Sequence, residues 1–333
     1  MPAGAGTTAL QATVPAAMAW PRAEHGVTPA NLPDHTAYQP AMFLDARTSV
    51  GTAPTPDGKS LRLLLVGAEQ PVRQLRRVPY TQGPSFQAFT VTGDALIWAE
   101  GERGKIQIWR AGLRDSKPPQ QLTADAGDAA LYGSQYDLTV NDGTVYWAAS
   151  GLNVTEVRSI ALTGGPGNTR TVPGEWTLSA WPWLVNGLTA SGGTTLLKNI
   201  TTSQEVPVAQ TGSRSVTQCS PTWCQVATLS RDGGSRIDLI HPDGTARQQI
   251  ADDTAQTVIA DVAPLDRYEV YSKIGPNSDL TGNVQLLVFE LATRRTVEVS
   301  PDAGRVSYRN GVLSWATGTQ DTYIWHALDL RTI

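Results

Sequence analysis

The sequence predicts an all-β chain closed into a seven-bladed β-propeller of four-stranded blades, and three observations carry that prediction. The 333 residues include 31 Gly and 22 Pro, and almost no stretch sustains an apolar period of 3.6 residues, so long helices are not expected. Pairs of apolar strands joined by tight Gly, Asn or Asp turns recur along the chain. Their spacing averages about 42 residues, the period of a four-stranded propeller blade.

Taken in chain order, residues 1–36 are rich in Ala, Pro and Thr and read as a flexible lead-in, with the propeller expected over 37–333. The repeat is clearest in "FTVTGDALIWAEG" (89–101), "LTVNDGTVYWAASG" (138–151), "WLVNGLTASGG" (183–193) and "VSYRNGVLSWATG" (306–318). "TSVGTAPTPDGKSLRLLLVG" (48–67) and "IADVAPLDRYEVYSKIG" (259–275) fit with weaker turns. Third strands such as "IQIWRAGLRD" and "LLVFELATRR" follow, then short fourth strands such as "QQLT" and "TVEVS". Marking the first turn of each copy gives Gly58, Gly93, Gly143, Gly187, Thr222, Leu265 and Gly311, at intervals of 35, 50, 44, 35, 43 and 46. Seven marks make seven blades, and closure into a ring removes the unprotected edges of an open stack. The last copy stops after its third strand, "YIWHALDL" (323–330). Residues 37–46, "AYQPAMFLDA", are apolar enough to supply the missing edge, so strands from both termini are expected to close the ring.

Trp98, Trp147, Tyr271 and Trp315 share one place in the second strand of four copies. An aromatic recurring once per blade is most simply a wedge between blades. Cys219 and Cys224, the only cysteines, flank the turn "SPTW" of the fifth copy. Residues facing each other across such a hairpin at a non-hydrogen-bonded pair have Cα atoms about 4.5 Å apart, within disulfide range. A metal site would want a second pair of ligands, and the four histidines, at 25, 35, 241 and 326, are scattered. The pair is therefore expected as a disulfide, which points outside the cytoplasm.

Composition narrows function by exclusion. Net charge is −4 with a pI near 5.6, so no basic surface recruits nucleic acid, and no run of about 18 apolar residues spans a membrane. "LTGGPGN" (162–168) is followed by more strand, not by the helix a phosphate loop must open, so no nucleotide cofactor is expected. "SRDGGSRI" (230–237) matches part of an Asp-box at Ser230, Asp232 and Gly234 but reads as a polar turn. No G-x-S-x-G elbow or metal cluster is present, so neither catalytic nor metal-binding residues are assigned.

The strongest functional pointer is "GEWTLSAWPWLVNG" (174–187), which brings Trp176 and Trp181 to the connection into the fourth copy, with Trp183 as core. The first two form either a stacking floor for a sugar ring or peptide side chain, or hydrophobic caps of the blade. Equivalent positions in other copies offer Gln135, Asp137, Gln218, Asp261 and Arg305, polar groups expected to converge near the ring axis.

These phrases also carry a resemblance. "FLDARTSVGT", "SQYDLTV", "LSAWPWLV", "CSPTWCQV", "ADVAPLDRYEV", "ELATRRTVEVSP" and "WHALDL", covering about residues 40–330, resemble the exported TolB-like β-propellers of actinobacteria. The 21 Arg among 26 basic residues suit high-GC coding. The resemblance implies an envelope or secreted location and a signal or anchor upstream of this sequence, which would be its sole membrane contact. It implies no activity. The expected function is a monomeric, non-enzymatic binding scaffold for an envelope protein, peptide or glycan. The alternative is a lyase or glycoside hydrolase acting on an extracellular polysaccharide or glycoconjugate.

Overall fold

The computed structural model describes residues 13–68, 70–188, 190–231, 233–319 and 322–333. Strands dominate; among the described residues helix is confined to two four-residue turns, Ala16–Ala19 and Ser278–Thr281, and three short 3-10 segments. No helix among the described residues is long and apolar enough to cross a membrane.

Two early strands, β1 (Val14–Pro15) and β2 (His25–Pro29), join sheets formed by the C-terminal part of the chain. The first sheet is an antiparallel meander of β3 (Gln39–Phe43), β4 (Thr48–Pro54), β5 (Ser60–Gly67) and β6 (Arg73–Pro79). The second is β7 (Ser85–Thr92), β8 (Ala95–Glu102), β9 (Lys105–Gly112) and β10 (Gln120–Thr123). The third has an interrupted first strand, β11 (Asp128–Ala129) and β12 (Thr139–Asn141), both paired with β13 (Thr144–Gly151), then β14 (Val154–Ala161) and β15 (Asn168–Pro173). The fourth is β16 (Trp176–Leu178), β17 (Trp183–Asn186), β18 (Leu196–Asn199) and β19 (Glu205–Pro207).

The remaining strands form one eleven-stranded path: β20 (Ser215–Cys219), β21 (Cys224–Leu229), β22 (Ser235–Ile240), β23 (Gln248–Thr257), β24 (Tyr268–Ile274), β25 (Val284–Glu290), β26 (Arg295–Arg309), β27 (Val312–Thr317) and β28 (Ile324–Asp329), with β2 at its end and β1 beside β26. Two of these strands change partner along their length. β23 pairs with β22 through Gln248–Ala251 and again at Ala255, and with β24 through Ala255–Thr257, while β26 passes from β25 to β27 near Gly304.

Neighbouring sheets pack face to face through apolar clusters. Trp98 lies between the first and second sheets, Trp147 between the second and third, Tyr271 in the cluster of β22 to β25, and Trp315 in that of β24 to β28; each is at most 5% exposed. Trp98 and Trp147 are thus wedges between sheets, while Tyr271 and Trp315 pack within the eleven-stranded group. Phe43 of the first sheet packs against Val312, Ala316 and Trp325 of the last strands, and the Trp325 indole N–H donates to the Tyr38 carbonyl at 3.1 Å.

Three expectations need correction. The strand completing the C-terminal group is β2, not residues 37–46: His25–Pro29 runs antiparallel to β28, while β3 is an edge strand of the first sheet, paired with β4. Residues 13–36 are therefore partly structured, with Val14–Pro15 parallel to Val297–Glu298; residues 1–12 lie outside the described chain. Gly58 and Gly187 mark turns between second and third strands, because β3 and β16 precede the strands that looked first. The short "WTL" and proline-interrupted "QPAMF" lack the alternation that identifies a strand in sequence. Asp232 of the partial Asp-box lies outside the described residues; its flanks close a turn through Ser230 N–H to Gly234 O at 2.9 Å.

Cys219 and Cys224 are bonded, with Cα atoms 4.0 Å apart at a directly opposed pair of β20 and β21. A six-residue ring removes little chain entropy, so the Cys219→Ser/Cys224→Ser variant should lose roughly 2 kcal/mol of unfolding free energy in a denaturant titration. An unchanged midpoint would mean that the hairpin already persists in the unfolded chain.

Candidate functional site

The excursion that interrupts the first strand of the third sheet positions the site. β11 pairs with Ser150 and Ala149, β12 with Tyr146 to Thr144, and the chain leaves β13 after the Ala130 N–H bonds to Ala148 O at 2.9 Å. Residues 131–138 then reach strands that lie far away in sequence. The Ser134 hydroxyl donates to Asp261 Oδ1 at 2.7 Å, and the Gln135 N–H donates to Asp261 Oδ2 at 3.3 Å. Arg309, at the end of β26, donates to the Ser134 carbonyl at 2.9 Å. Asp137 folds its carboxylate back onto the Gly133 N–H at 2.7 Å.

Both carboxylates are buried, Asp137 at 7% and Asp261 at 5% exposure. Burial penalises their charged forms and pushes both toward protonation, Asp261 up to about 6, against the opposing pull of the Ser134 hydroxyl and Arg309. Tyr136, half-buried near Asp261, is pushed up to about 12 by the same loss of water. The turn after Asp261 is strained: Ala263, Leu265 and Asp266 adopt φ of 48°, 58° and 53°. It is held from behind by Glu269, fully buried, which accepts the Ala263 N–H at 2.9 Å and an amide hydrogen of Gln225.

Two adjoining hollows flank the excursion. The larger, about 280 Å³, opens between the third and fourth sheets and is lined by Tyr132, Thr155, Glu175, Trp176 and Leu188. The smaller, about 70 Å³, is lined by Asp137, Asp261, Gln218 and Ser220 from inner strands and turns. Tyr132, Thr177, Val185 and Leu188 border both, so the two form one cleft. A loop from the fourth sheet shapes its rim: Thr194 N–H bonds to Thr217 O at 2.7 Å, and a Cβ on Gly193 would fall 2.0 Å from that same oxygen. Only glycine allows this approach.

The residues singled out from sequence are divided by the structure. Trp176 opens β16 at the cleft, its indole N–H bonded to Pro173 O at 2.7 Å and Lys198 Nζ 5.8 Å from its ring. Trp181 lies in the turn at the other end of β16, stacked on Tyr146 at 3.7 Å, and lines a separate hollow of about 170 Å³ with Arg170 and Thr201. The two tryptophans do not share a floor. Asp137, Asp261 and Gln218 do converge, and Gln135 joins them through its backbone. Arg305 does not; it is exposed, with its guanidinium 5.2 Å from the Tyr323 ring. Arg309, four residues on, takes the inner place. Sequence reasoning missed Arg309, Ser134 and Tyr132, although the 50-residue interval of the third copy marked the extra segment.

His241 stacks on Trp223 at 4.2 Å in a turn, and His326 stacks on Trp315 at 5.3 Å within β28. Among the described residues no group of three or more His, Cys, Asp or Glu side chains is arranged to hold a metal ion.

No family model and no curated protein matches the sequence. Solved structures do resemble it. A puromycin-hydrolyzing peptidase of Mycobacterium tuberculosis superposes with a TM-score of 0.53 at 13% identity, covering 97% of this chain and 56% of that one. The chain thus spans little more than half of that peptidase, and at this identity the likeness concerns fold alone. The β-propeller domain of the Trilobed protease from Pyrococcus furiosus has a TM-score of 0.47 at 8% identity, covering 71% of this chain and 80% of that one. A TolB from Agrobacterium tumefaciens has a TM-score of 0.43 at 14% identity, covering 68% and 83%.

Proposed function

We propose that this chain is a seven-bladed β-propeller acting outside the cytoplasm as a non-enzymatic binding module, with its ligand seated in the cleft over Trp176. Seven groups of four strands follow when β23 and β26 are each divided between two blades, with β2 completing the last blade. The ring then has two faces, and the cleft opens on the one where second strands turn into third strands.

The carrying observation is what surrounds the cleft on that face. Leu152, Leu188, Leu229, Ile274, Leu280 and Ile324 are exposed there, Leu152 at 91% and Leu280 at 89%. They lie at the second-to-third-strand turns of the third to seventh blades, whereas the same turns of the first two carry Asp57, Lys59, Glu102 and Arg103. Projecting aliphatics around an aromatic cleft suit a polypeptide, whose apolar side chains they can bury, better than a glycan. The Cys219–Cys224 disulfide supports an envelope or secreted location.

Peptide and glycan arrays followed by titration of the best binder test this reading. Trp176→Ala should weaken that binding about tenfold, since a lost stacking contact costs on the order of 1 kcal/mol beyond area, while the melting temperature barely moves. Equal affinity of the variant and the parent would refute the site.

A hydrolase or lyase reading has one supporting observation, the paired carboxylates Asp137 and Asp261 at the smaller hollow. Both already accept hydrogen bonds from the excursion. The binding reading is the better supported.

A further inference from the structure

Trp181 stands apart from the cleft, and its surroundings have a chemistry of their own. It sits in the tight turn between β16 and β17, closed by the Trp183 N–H to Ala180 O at 3.0 Å. The Pro182 carbonyl of that turn accepts the Ile200 N–H at 3.0 Å, so the turn between β18 and β19 braces it. Ile200 in turn offers its carbonyl to a guanidinium N–H of Arg170, which comes from β15 of the neighbouring sheet. Asn199, buried beneath, accepts the N–H groups of Thr201 and Thr202 at 3.0 Å each. The indole and the guanidinium are therefore both positioned by the same turn before any ligand arrives.

Between them lies the hollow of about 170 Å³, at the opposite end of β16 from Trp176. One wall is aromatic, Tyr146 and Trp181 stacked at 3.7 Å. The rest of the lining brings Ser159, Asn168, Arg170 and Thr201 together. Among the described residues, the Ser159 and Thr201 hydroxyls and the Asn168 amide have no hydrogen-bond partner in the protein, and Arg170 uses only its one N–H. No carboxylate of the described residues borders the hollow, and Arg170 is its only charge.

Surface polar groups are ordinarily satisfied by water, but four of them around one aromatic pair match a narrower chemistry. A pyranose has a face of C–H groups that packs on an aromatic ring, and a rim of hydroxyls that exchanges hydrogen bonds with amides and hydroxyls. A guanidinium fork adds a preference for a carboxylate on that ring. An apolar peptide side chain would cover the aromatic wall and leave the polar rim to water. We propose that this hollow is a subsite for one hexuronic-acid residue of an acidic glycan, with its ring against Trp181 and Tyr146 and its carboxylate on Arg170. The subsite is separate from the cleft over Trp176, so it stands or falls apart from the polypeptide reading of that cleft.

Titration with methyl glucuronide, followed by ligand-observed NMR, tests this, with methyl glucoside as the matched sugar and acetate as the matched anion. Methyl glucuronide should bind saturably with a Kd on the order of 1 mM, the range of a single small ring on an open site. The glucoside and acetate should each bind about tenfold more weakly, because each lacks one half of the contact. Arg170→Gln changes an exposed side chain, and should bring the glucuronide down to the level of the glucoside. Trp181→Ala should weaken both sugars by about tenfold, with thermal unfolding as the check on its fold; if that variant unfolds, Arg170→Gln alone decides. No saturable binding of the glucuronide, acetate binding as well as the glucuronide, or glucuronide binding unchanged in Arg170→Gln would each overturn the proposal.

Discussion

Replacing Trp98 with alanine will cost this protein about 3–5 kcal/mol of stability, the largest loss expected from any single aromatic truncation in the chain. Trp98 is completely buried in the cluster shared by the first and second sheets, with Met42, Val50, Leu63 and Phe89 around it. Its ring lies nearly parallel to that of Trp109 at 6.4 Å, and its N–H donates to Glu100 Oε2 at 3.2 Å. Glu100 is itself fully buried and gripped by Arg76 at 2.9 Å, whose guanidinium lies 3.8 Å over Trp109. Truncation therefore opens a cavity between two sheets that cannot simply close up, and it removes one donor from a buried carboxylate. Trp98→Phe separates the two effects: it keeps most of the wedge and should cost only about 1–2 kcal/mol, the range of a lost hydrogen bond to a buried charge. Denaturant titrations of both variants check this. A loss below about 1 kcal/mol for alanine would show that the neighbouring sheets move together and that the wedge is dispensable.

The second large effect concerns pH. Glu269, fully buried against Ala263 N–H and Gln225, is raised from 4.5 to about 7 by loss of water, which its two hydrogen bonds only partly offset. The folded state therefore holds this proton more tightly than the unfolded chain does. Its stabilising contribution is complete below about pH 4.5, declines as pH rises, and is gone above about pH 7. Across that window the shift corresponds to about 3 kcal/mol. Glu269→Gln keeps the shape and the hydrogen-bonding capacity without the charge. At pH 8 the variant should be more stable than the parent by up to that amount, and near pH 4.5 the two should coincide. Chemical unfolding at several pH values is the measurement. A parent that is the more stable protein at pH 8 would mean that the Gln225 amide and the Ala263 N–H fully satisfy a charged Glu269.

Glu269 and Asp261 are two buried acids on either side of one strained turn, and together they explain why the turn survives. Three residues in the left-handed region cost on the order of 1 kcal/mol each or more. Glu269 holds the turn through Ala263, and Asp261 is thereby aimed at the excursion. Burial that seems wasteful at each carboxylate fixes the geometry of the site between them.

The sequence by itself determined the repeat and its contents. Strands, turns and wedges are local: alternation, Asn-Gly and Asp-Gly pairs and one aromatic per copy state which segments extend and where they reverse. The disulfide was equally legible, because two cysteines facing across one short hairpin lie within bonding reach of each other. What only the tertiary structure decided is phase and convergence. Whether Gly58 and Gly187 mark first or second turns depends on β3 and β16, short strands that are held in place by packing and not by pattern. The edge beside β28 could be filled by any extended segment near the amino terminus, and pairing selected His25–Pro29 over 37–46 because β3 was already committed to β4. Convergence is harder still. Ser134 meets Asp261 across 127 residues and Arg309 across 175, at a place no local signal encodes, while Arg305 points out on the same strand. A shift of register decides which side chains of a strand reach the inside, and that choice is made by the neighbouring sheets, not by the strand's own sequence.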